Sequence, residues 1–598
     1  GIRGSALDSR GTAPILAKAF RLFPGGSILP RFPLPALLPS MTNKEIASVL
    51  QETADLIELT DGNPHRARAF GRAARTLGNL PDSVSTRLDD GTLTGASGIG
   101  DAMADHVADI VRTGTFALHD ELLNAIPPGL LDVMRVKGLG TKRTRRLWQE
   151  LDITSLDDLE TAAEDDHITT LSGFGAKTQS NILENVRRLR AYDQQWRLPD
   201  AEAAASALLD DLRGLDAVDR AEITGALRRN RAVVEHVDLI AATEAPAALR
   251  DWMAEQGDEP PTDTDDGLST TLPDGVPLRL HVASPDRFGT AWWRTTGVPA
   301  HCEALEDRFG VPNAHATEDA LFAAADLPVI PPELRENDGE LDAAAAHALP
   351  DLVTTGALQG CLHNHSTYSD GADSLRTMAE AARSLGFSYF GICDHSQSLQ
   401  IASGLSPDAV RRQHDEVQAL NEEMDDGFRI FHGIESDILA DGALDYADDL
   451  LALFDFVVAS VHTGFSMTEA EATERVVTAV QNPYTRILGH PTGRLLLSRD
   501  GYPLDHARVI EACADHDVAI ELNANPYRLD LDWRWVHRAI EAGALLSINP
   551  DAHATRELRY VEWGVRVGRK GWLTAADCLN AKSLADFTNW VERTPAHP

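Results

Sequence analysis

The chain has 598 residues and a mass of 64.8 kDa, enough for about four domains at roughly 150 residues each. Apolar residues make up 43% and charged residues 24%, which excludes a disordered, collagen-like or disulfide-scaffold chain, and no apolar run is long enough for a membrane-spanning helix. Ninety-two acidic side chains against 54 basic ones leave a net charge of −38, so DNA binding at low salt requires local basic patches and bound metal.

In chain order, residues 1–40 are rich in Pro, Gly and Leu, with Asp8 as the only acid, and the prolines of 23–39 exclude a helix. They are expected to be a non-native, upstream-translated or disordered extension before Met41, rather than a targeting peptide. From 41 to about 195 the pattern is helical, divided into 41–120 and 121–195. Three turns repeat one form: Gly98-Ile99-Gly100, Gly138-Leu139-Gly140 and Gly173-Phe174-Gly175. Gly-x-Gly lets the backbone turn tightly, so that N–H groups at a helix start face an anion. Lys142 and Arg143 open the densest basic cluster after the second turn, and Lys177 follows the third, whose helix runs into Arg187, Arg188 and Arg190. The repetition predicts binding to a DNA backbone without sequence reading; plain helix–turn–helix packing is the alternative.

Residues 196–350 have an α+β pattern. A helix over 201–212 precedes extended segments at 218–227, 233–242 and 277–283, while the acidic stretch 255–274 is expected to be a surface loop. The domain boundaries are set at 196–290, 291–335 and a linker over 336–355. From 356 to 598, seven short apolar strands are predicted at 360–363, 389–393, 429–433, 454–460, 486–488, 518–522 and 545–548, each followed by a helical stretch. That alternation implies a parallel, closed barrel with its chemistry at the C-terminal strand ends.

Those ends carry His363, His365, Asp370, His395, Glu435, His462, His490, Asp551 and His553. Nine imidazoles and carboxylates converging on one mouth form a ligand set for Zn, Mn or Fe and are enough for three ions. Asp394 and Asp437 are candidates for orienting a histidine. The five cysteines (Cys302, Cys361, Cys393, Cys513 and Cys578) form no Cys-x-x-Cys pair, which points to reduced thiols in a cytoplasm and to no thiolate zinc site.

The run His363-Asn364-His365 through Ser369-Asp370-Gly371 resembles the PHP (polymerase and histidinol phosphatase) domain. The likeness continues in Asp394-His395, Gly433-Ile434-Glu435, Ser460-Val461-His462, Gly489-His490-Pro491 and Asp551-Ala552-His553. From Met41 on, the chain resembles the bacterial family X DNA polymerases. The resemblance implies an all-α helix-hairpin-helix N-terminal region, with 121–195 fingers-like. It also implies an α+β nucleotidyltransferase-like palm, a thumb-like 291–335 and a C-terminal (β/α)7 PHP barrel. It places one metal on His363, His365, Glu435 and Asp551. A second is bridged by Glu435 to His462, with or without His490, and a third lies on Asp370, His395 and His553; the last assignments are interchangeable. The implied activity is metal-dependent 3′–5′ exonuclease on DNA in base excision repair, at gapped, nicked or free 3′ ends, in the cytoplasm and away from membranes. His363, His365, Glu435, Asp551 and Arg494 are its expected catalytic residues. Arg494 and Arg528 are candidate phosphate contacts, with structural ion pairs as the alternative.

The palm departs from that family. Its expected Gly-Ser-x-Arg-Arg turn is here Gly225-Ala226-Leu227-Arg228-Arg229, and the paired aspartates fall at His236 and Asp238. The third aspartate falls at Arg279, where a cation repels Mg²⁺, so polymerase activity is expected to be lost. Thr295-Thr296-Gly297 keeps a trace of the nucleotide-binding turn, and Cys302 beside His301 replaces an asparagine. The alternatives are an active gap-filling polymerase with exonuclease, a PHP phosphatase acting on a small phosphate ester, and a non-enzymatic DNA-end scaffold.

Overall fold

The computed structural model describes residues 41–592 except 42, 61, 79, 81–82, 258, 274, 311–313 and 425–426; the expected extension 1–40 lies outside them. The N-terminal part is helical. In α1 (Asn43–Leu59) and α2 (Pro64–Gly78) the apolar side chains recur at helical spacing, and Ile46, Leu50 and Ile57 meet Phe70, Ala74 and Leu77 in one core. Helices α3 (Asp101–Thr113), α4 (Thr141–Leu151) and α5 (Ala176–Asp193) each follow a Gly-x-Gly turn. The three turns share a backbone: Gly98, Gly138 and Gly173 lie at φ +80°, +92° and +87°. The second glycine of each is extended and caps its helix. Only glycine reaches that left-handed region without strain, and the middle residues Ile99, Leu139 and Phe174 are buried plugs.

The palm-like region packs α6 (Leu198–Arg213) on a sheet of β1 (Arg220–Ile223), β2 (Val237–Ala242), β3 (Thr262–Thr264), β4 (Gly267–Thr271) and β5 (Pro277–Ala283). The order is β1-β2-β5-β4-β3, with β2 and β5 parallel and the rest antiparallel. The expected loop 255–274 is therefore corrected: it contains the β3–β4 hairpin. Its two-residue turn is Asp265-Asp266, closed by the Thr264–Gly267 pair. The expected linker 336–355 is corrected as well. It contains the helix Glu340–Ala345, and Leu341 and Ala344 join Trp293, Leu305, Phe322 and Leu334 in one buried cluster.

The C-terminal region is a seven-stranded parallel sheet: β6 (Gly360–Asn364), β7 (Tyr389–Ile392), β8 (Arg429–Asp437), β9 (Phe456–Ser460), β10 (Thr485–Leu488), β11 (Ala519–Asn523) and β12 (Leu546–Asn549), paired in chain order. Ser374, Ser406, Thr468, Asp505 and Asp532 cap the starts of outer helices with their side chains, which fixes where each strand hands over to its helix. β6 and β12 meet only at their upper ends, where Asn364 bridges to Ala552 and His365 N–H donates to Ala552 O at 2.8 Å. The barrel is thus nearly closed, and its seam brings the first and last ligand segments together.

The parts are joined by charged pairs. Lys570, fully buried, reaches Glu336 at 2.5 Å; Arg569 reaches Glu333 at 2.6 Å. On the other side Arg188 and Tyr192 of α5 grip Asp500 at 2.9 and 2.5 Å.

Candidate metal centre

The nine expected ligands converge at the top of the barrel. Glu435, within β8 and 1% exposed, lies at the centre. Its Oε1 faces Nε2 of His363, His462 and His490 at 3.3, 3.2 and 3.0 Å, and its Oε2 faces His395 Nδ1 at 2.8 Å. Asp551 Oδ1 lies 3.1 Å from His365 Nε2 and 3.8 Å from His363 Nε2. Asp370 Oδ1 lies 3.5 Å from His395 Nε2 and 3.3 Å from His553 Nε2. Three overlapping groups can each hold an ion: His363, His365 and Asp551; His395, Glu435 and His462; and His365, Asp370, His395 and His553. His365 and His395 are shared between groups, where the expectation had Glu435 as the bridging ligand, so the donors form one continuous cluster. His363 and Asp551 both adopt left-handed backbone, at φ +54° and +52°, a strained state for residues with a side chain. The kinks fall where β6 and the segment after β12 end in ligands.

Electrostatics favour cations here. Burial opposes the charge on Glu435, yet His462, His363 and His395 hold its pKa well below the carboxylate range. Asp551 is held down in the same way against burial, by His363, His365 and His553. Burial and the neighbouring His553 and His395 push His365 down to about 3, so it is neutral and ready to ligate. Nε2 of His363, Nδ1 of His365, His395 and His490, and both oxygens of Glu435 are buried without hydrogen-bond partners. Buried donors and acceptors left open in this way are costly unless something fills the space between them. A set of imidazole nitrogens and carboxylate oxygens fits transition-metal ions.

Neighbouring groups orient the ligands. Asp437 accepts from His462 Nδ1 and from Ser398 Oγ, as the sequence suggested. Asp394 does not touch a histidine. It accepts from Ser366 N and Oγ, Ser369 N and Gln413 Nε2 at 2.8, 2.7, 3.2 and 2.6 Å, and so ties down the loop that carries Asp370. Arg494, expected among the catalytic residues, is turned away. Its guanidinium binds Asp532 at 2.8 Å, Arg528 O at 3.0 Å and Leu529 O. Arg528 faces the cluster instead, with Nε 3.4 Å from Asp551 Oδ2. Sequence reasoning missed Glu521, fully buried beneath His363, with Oε1 2.5 Å from His363 Nδ1. Its one sequence signal is that β11, alone of the seven strands, contributes none of the nine donors.

The second and third hairpins form one surface. Arg143 and Arg146 of α4 lie over the Phe174 ring at 5.8 and 5.6 Å, and Arg146 donates to Ser172 O at 2.7 Å. Gly138, Gly140, Lys142, Arg143, Gly173, Gly175 and Lys177 are exposed. Gly98 and Gly100 are exposed too, but their helix opens with Asp101 and carries Asp105, so the first hairpin lacks the basic character of the other two.

Residues 41–116 match a helix-hairpin-helix domain, 130–188 a SAM-like helix-hairpin-helix tandem and 362–525 a PHP domain. The chain is 34% identical over 579 residues to the DNA polymerase/3′-5′ exonuclease PolX of Bacillus subtilis (strain 168), covering 92% of this chain and all of that relative. The chain belongs to the PolX family. Its C-terminal part is also similar to a probable phosphatase of Acetivibrio thermocellus, 31% identical over 28% of this chain and 65% of the relative. A probable phosphatase of Shewanella piezotolerans is 28% identical over 34% of this chain and 82% of the relative.

In the palm-like region a single buried carboxylate, Asp238, stands among basic groups. Asp238 pairs with Arg279 in the β2–β5 register, and Arg279 Nη1 lies 2.8 Å from His236 Nε2. Asp238 is 4% exposed and faces His236 and His281 at 3.3 and 3.6 Å. Gly225 lies at φ +66°, and a Cβ there would meet Asp238 Oδ2 at 2.0 Å. Arg228 is held bidentate by Glu318 at 2.7 Å, and Arg229 by Glu336 at 2.9 Å.

Proposed function

We propose that this PolX-family chain is a metal-dependent 3′–5′ exonuclease of DNA repair, working on gapped, nicked or free 3′ ends. Three Mn²⁺ or Zn²⁺ ions, or iron, would sit at the barrel mouth. The observation that carries this reading is the open donor set around Glu435, with Arg528 beside it and two basic hairpins on the same chain. When bound, such ions supply Lewis-acid stabilisation of the phosphoryl group and lower the pKa of water toward neutrality. His363, His365 and Asp551, then His395, Glu435 and His462, then Asp370 and His553 would hold them. Glu435, His363 and His490 form the buried floor, while Asp370 and His553 are the more exposed rim, so the scissile phosphate enters over Asp370 and His553. Arg528 balances phosphate charge there, because guanidinium pairs well with phosphate oxygens. Arg494 braces the backbone that carries Arg528, and the hairpins hold the strand through its phosphates.

The palm supports no nucleotidyl transfer in this reading. Two-metal transfer needs carboxylates shared between ions, and only Asp238 remains, with Arg279 beside it. A gap-filling assay with Mg²⁺ or Mn²⁺ and all four dNTPs is expected to show no extension; robust extension would restore the polymerase reading.

The central test places the protein with Mn²⁺ on 3′-labelled single-stranded and gapped DNA, beside histidinol phosphate. Release of the label as a mononucleotide from the 3′ end supports the proposal, and hydrolysis of the small ester alone favours the phosphatase reading. Replacing His363 and His365 by Ala is expected to abolish hydrolysis and leave DNA binding nearly intact; full-rate cleavage by that variant would show that the site is misassigned.

A further inference from the structure

Glu521 lies in the middle of β11, at the bottom of the metal cluster, fully buried. Four donors converge on its two oxygens. Oε1 takes His363 Nδ1 at 2.5 Å and Asn549 Nδ2 at 2.9 Å. Oε2 takes the backbone N–H of His490 at 2.5 Å and Asn523 Nδ2 at 3.2 Å. The amide orientations are fixed independently: Asn523 Oδ1 accepts from Asn525 N, and Asn549 Oδ1 accepts from Asn580 Nδ2 at 3.4 Å, Asn580 itself being set by Ile548 N–H donating to its Oδ1 at 2.7 Å. Asn523 Nδ2 also reaches Asp551 Oδ2 at 3.1 Å. Glu521 therefore touches two ligand segments, His363 on β6 and the start of the His490 segment after β10, and reaches a third, Asp551 after β12, through Asn523.

We infer that Glu521 is the positioning residue of the metal centre: its carboxylate sets the tautomer and orientation of His363 and the start of the His490 segment. Only an acceptor-only group satisfies all four donors. A glutamine would turn an NH₂ toward at least one N–H. A carboxylate on Nδ1 keeps the proton there, points the Nε2 lone pair at the ion and raises its basicity. Nε2 of His363 is the atom left without a partner. Among the described residues no Lys or Arg pairs with Glu521, so burying this carboxylate is costly, and a cation beyond His363 offsets that cost. The inference rests on the metal-centre reading and adds a residue to it.

The test uses the full chain as Glu521→Gln and Glu521→Asp. Uptake of Mn²⁺ and Zn²⁺ is measured against a competing chelator, and the absorption spectrum of the Co²⁺-loaded protein is recorded. The glutamine variant is expected to bind metal about 10–100-fold more weakly, with a shifted Co²⁺ spectrum. The aspartate variant, which keeps the charge, is expected to recover part of both. Three results would overturn the inference: wild-type affinity and spectrum in the glutamine variant, equal impairment of the two variants, or loss of cooperative melting by both in saturating Mn²⁺, which would assign Glu521 to packing alone. A wild-type protein that takes up no transition metal would instead overturn the metal-centre reading itself.

Discussion

Two arginines that look equivalent in sequence differ in their bonds. Arg528 faces Asp551, whereas Arg494 is bound to Asp532 and to the backbone carrying Arg528. Arg528→Ala is therefore expected to lower kcat/KM on DNA about a hundredfold with unchanged metal content. Arg494→Ala is expected to cost about 2 kcal/mol of stability through its lost charged hydrogen bonds. A stable Arg494→Ala protein with full metal and no activity would reverse the two roles. Glu318 carries a pH dependence. Burial opposes its charge, but Arg228 and Arg335 on either side hold its pKa at about 2. A depressed carboxylate stabilises the fold above its unfolded value and stops doing so as pH falls through the folded one. The loss thus runs from about pH 4.5 down to 2 and amounts to about 3 kcal/mol. Acid titration of the melting temperature should show this slope, and Glu318→Gln should flatten it. At this scale the sequence pointed to the nine donors that the structure brings together at the barrel mouth, because most of them stand at or just beyond strand ends within recognisable motifs. It hid Glu521, since Ala519-Ile520-Glu521-Leu522-Asn523 has no motif around it and its function comes from neighbours remote in the chain.

The hairpins are three copies of one backbone device, and glycine at the first position is what makes the turn possible. In Gly138→Ala the added Cβ meets nothing within 4 Å, so the cost is the left-handed conformation alone, about 1–2 kcal/mol. DNA affinity is expected to fall while hydrolysis of bis(p-nitrophenyl) phosphate in Mn²⁺ stays unchanged. A parallel loss of both would mean that the turn supports the barrel rather than the DNA. The barrel strands were legible as short apolar runs between helical stretches, within a residue or two at most ends. β8 was the exception: its nine residues carry Glu435 inside the strand, where the sequence placed it beyond the end. The β3–β4 hairpin was not legible, because its exposed Thr and Asp side chains hide a pairing that β5 imposes from outside.

Across the whole molecule, charge sets the terms. The −38 net charge repels DNA over distances that salt screens, whereas the Lys142–Arg143 patch attracts it locally. Ordinary DNA binders lose affinity steeply as salt rises. Here, fluorescence anisotropy over a KCl series is expected to show a shallow decline or a maximum at intermediate salt. A steep, monotonic loss would mean that the acidic surface lies too far from the binding face to matter.

The helix α5 starts at the third hairpin and, some thirteen residues on, fastens to Asp500 in the segment that follows His490. At 1.5 Å per residue that span is about 20 Å, or about six steps of a nucleic-acid strand at 3.4 Å each. Because the tie to Asp500 anchors the third hairpin to the loop that follows His490, digestion is expected to slow once the oligonucleotide is too short to reach from the hairpin to the metal centre; an unchanged rate down to dinucleotides would show that the hairpin holds no part of the strand being cut.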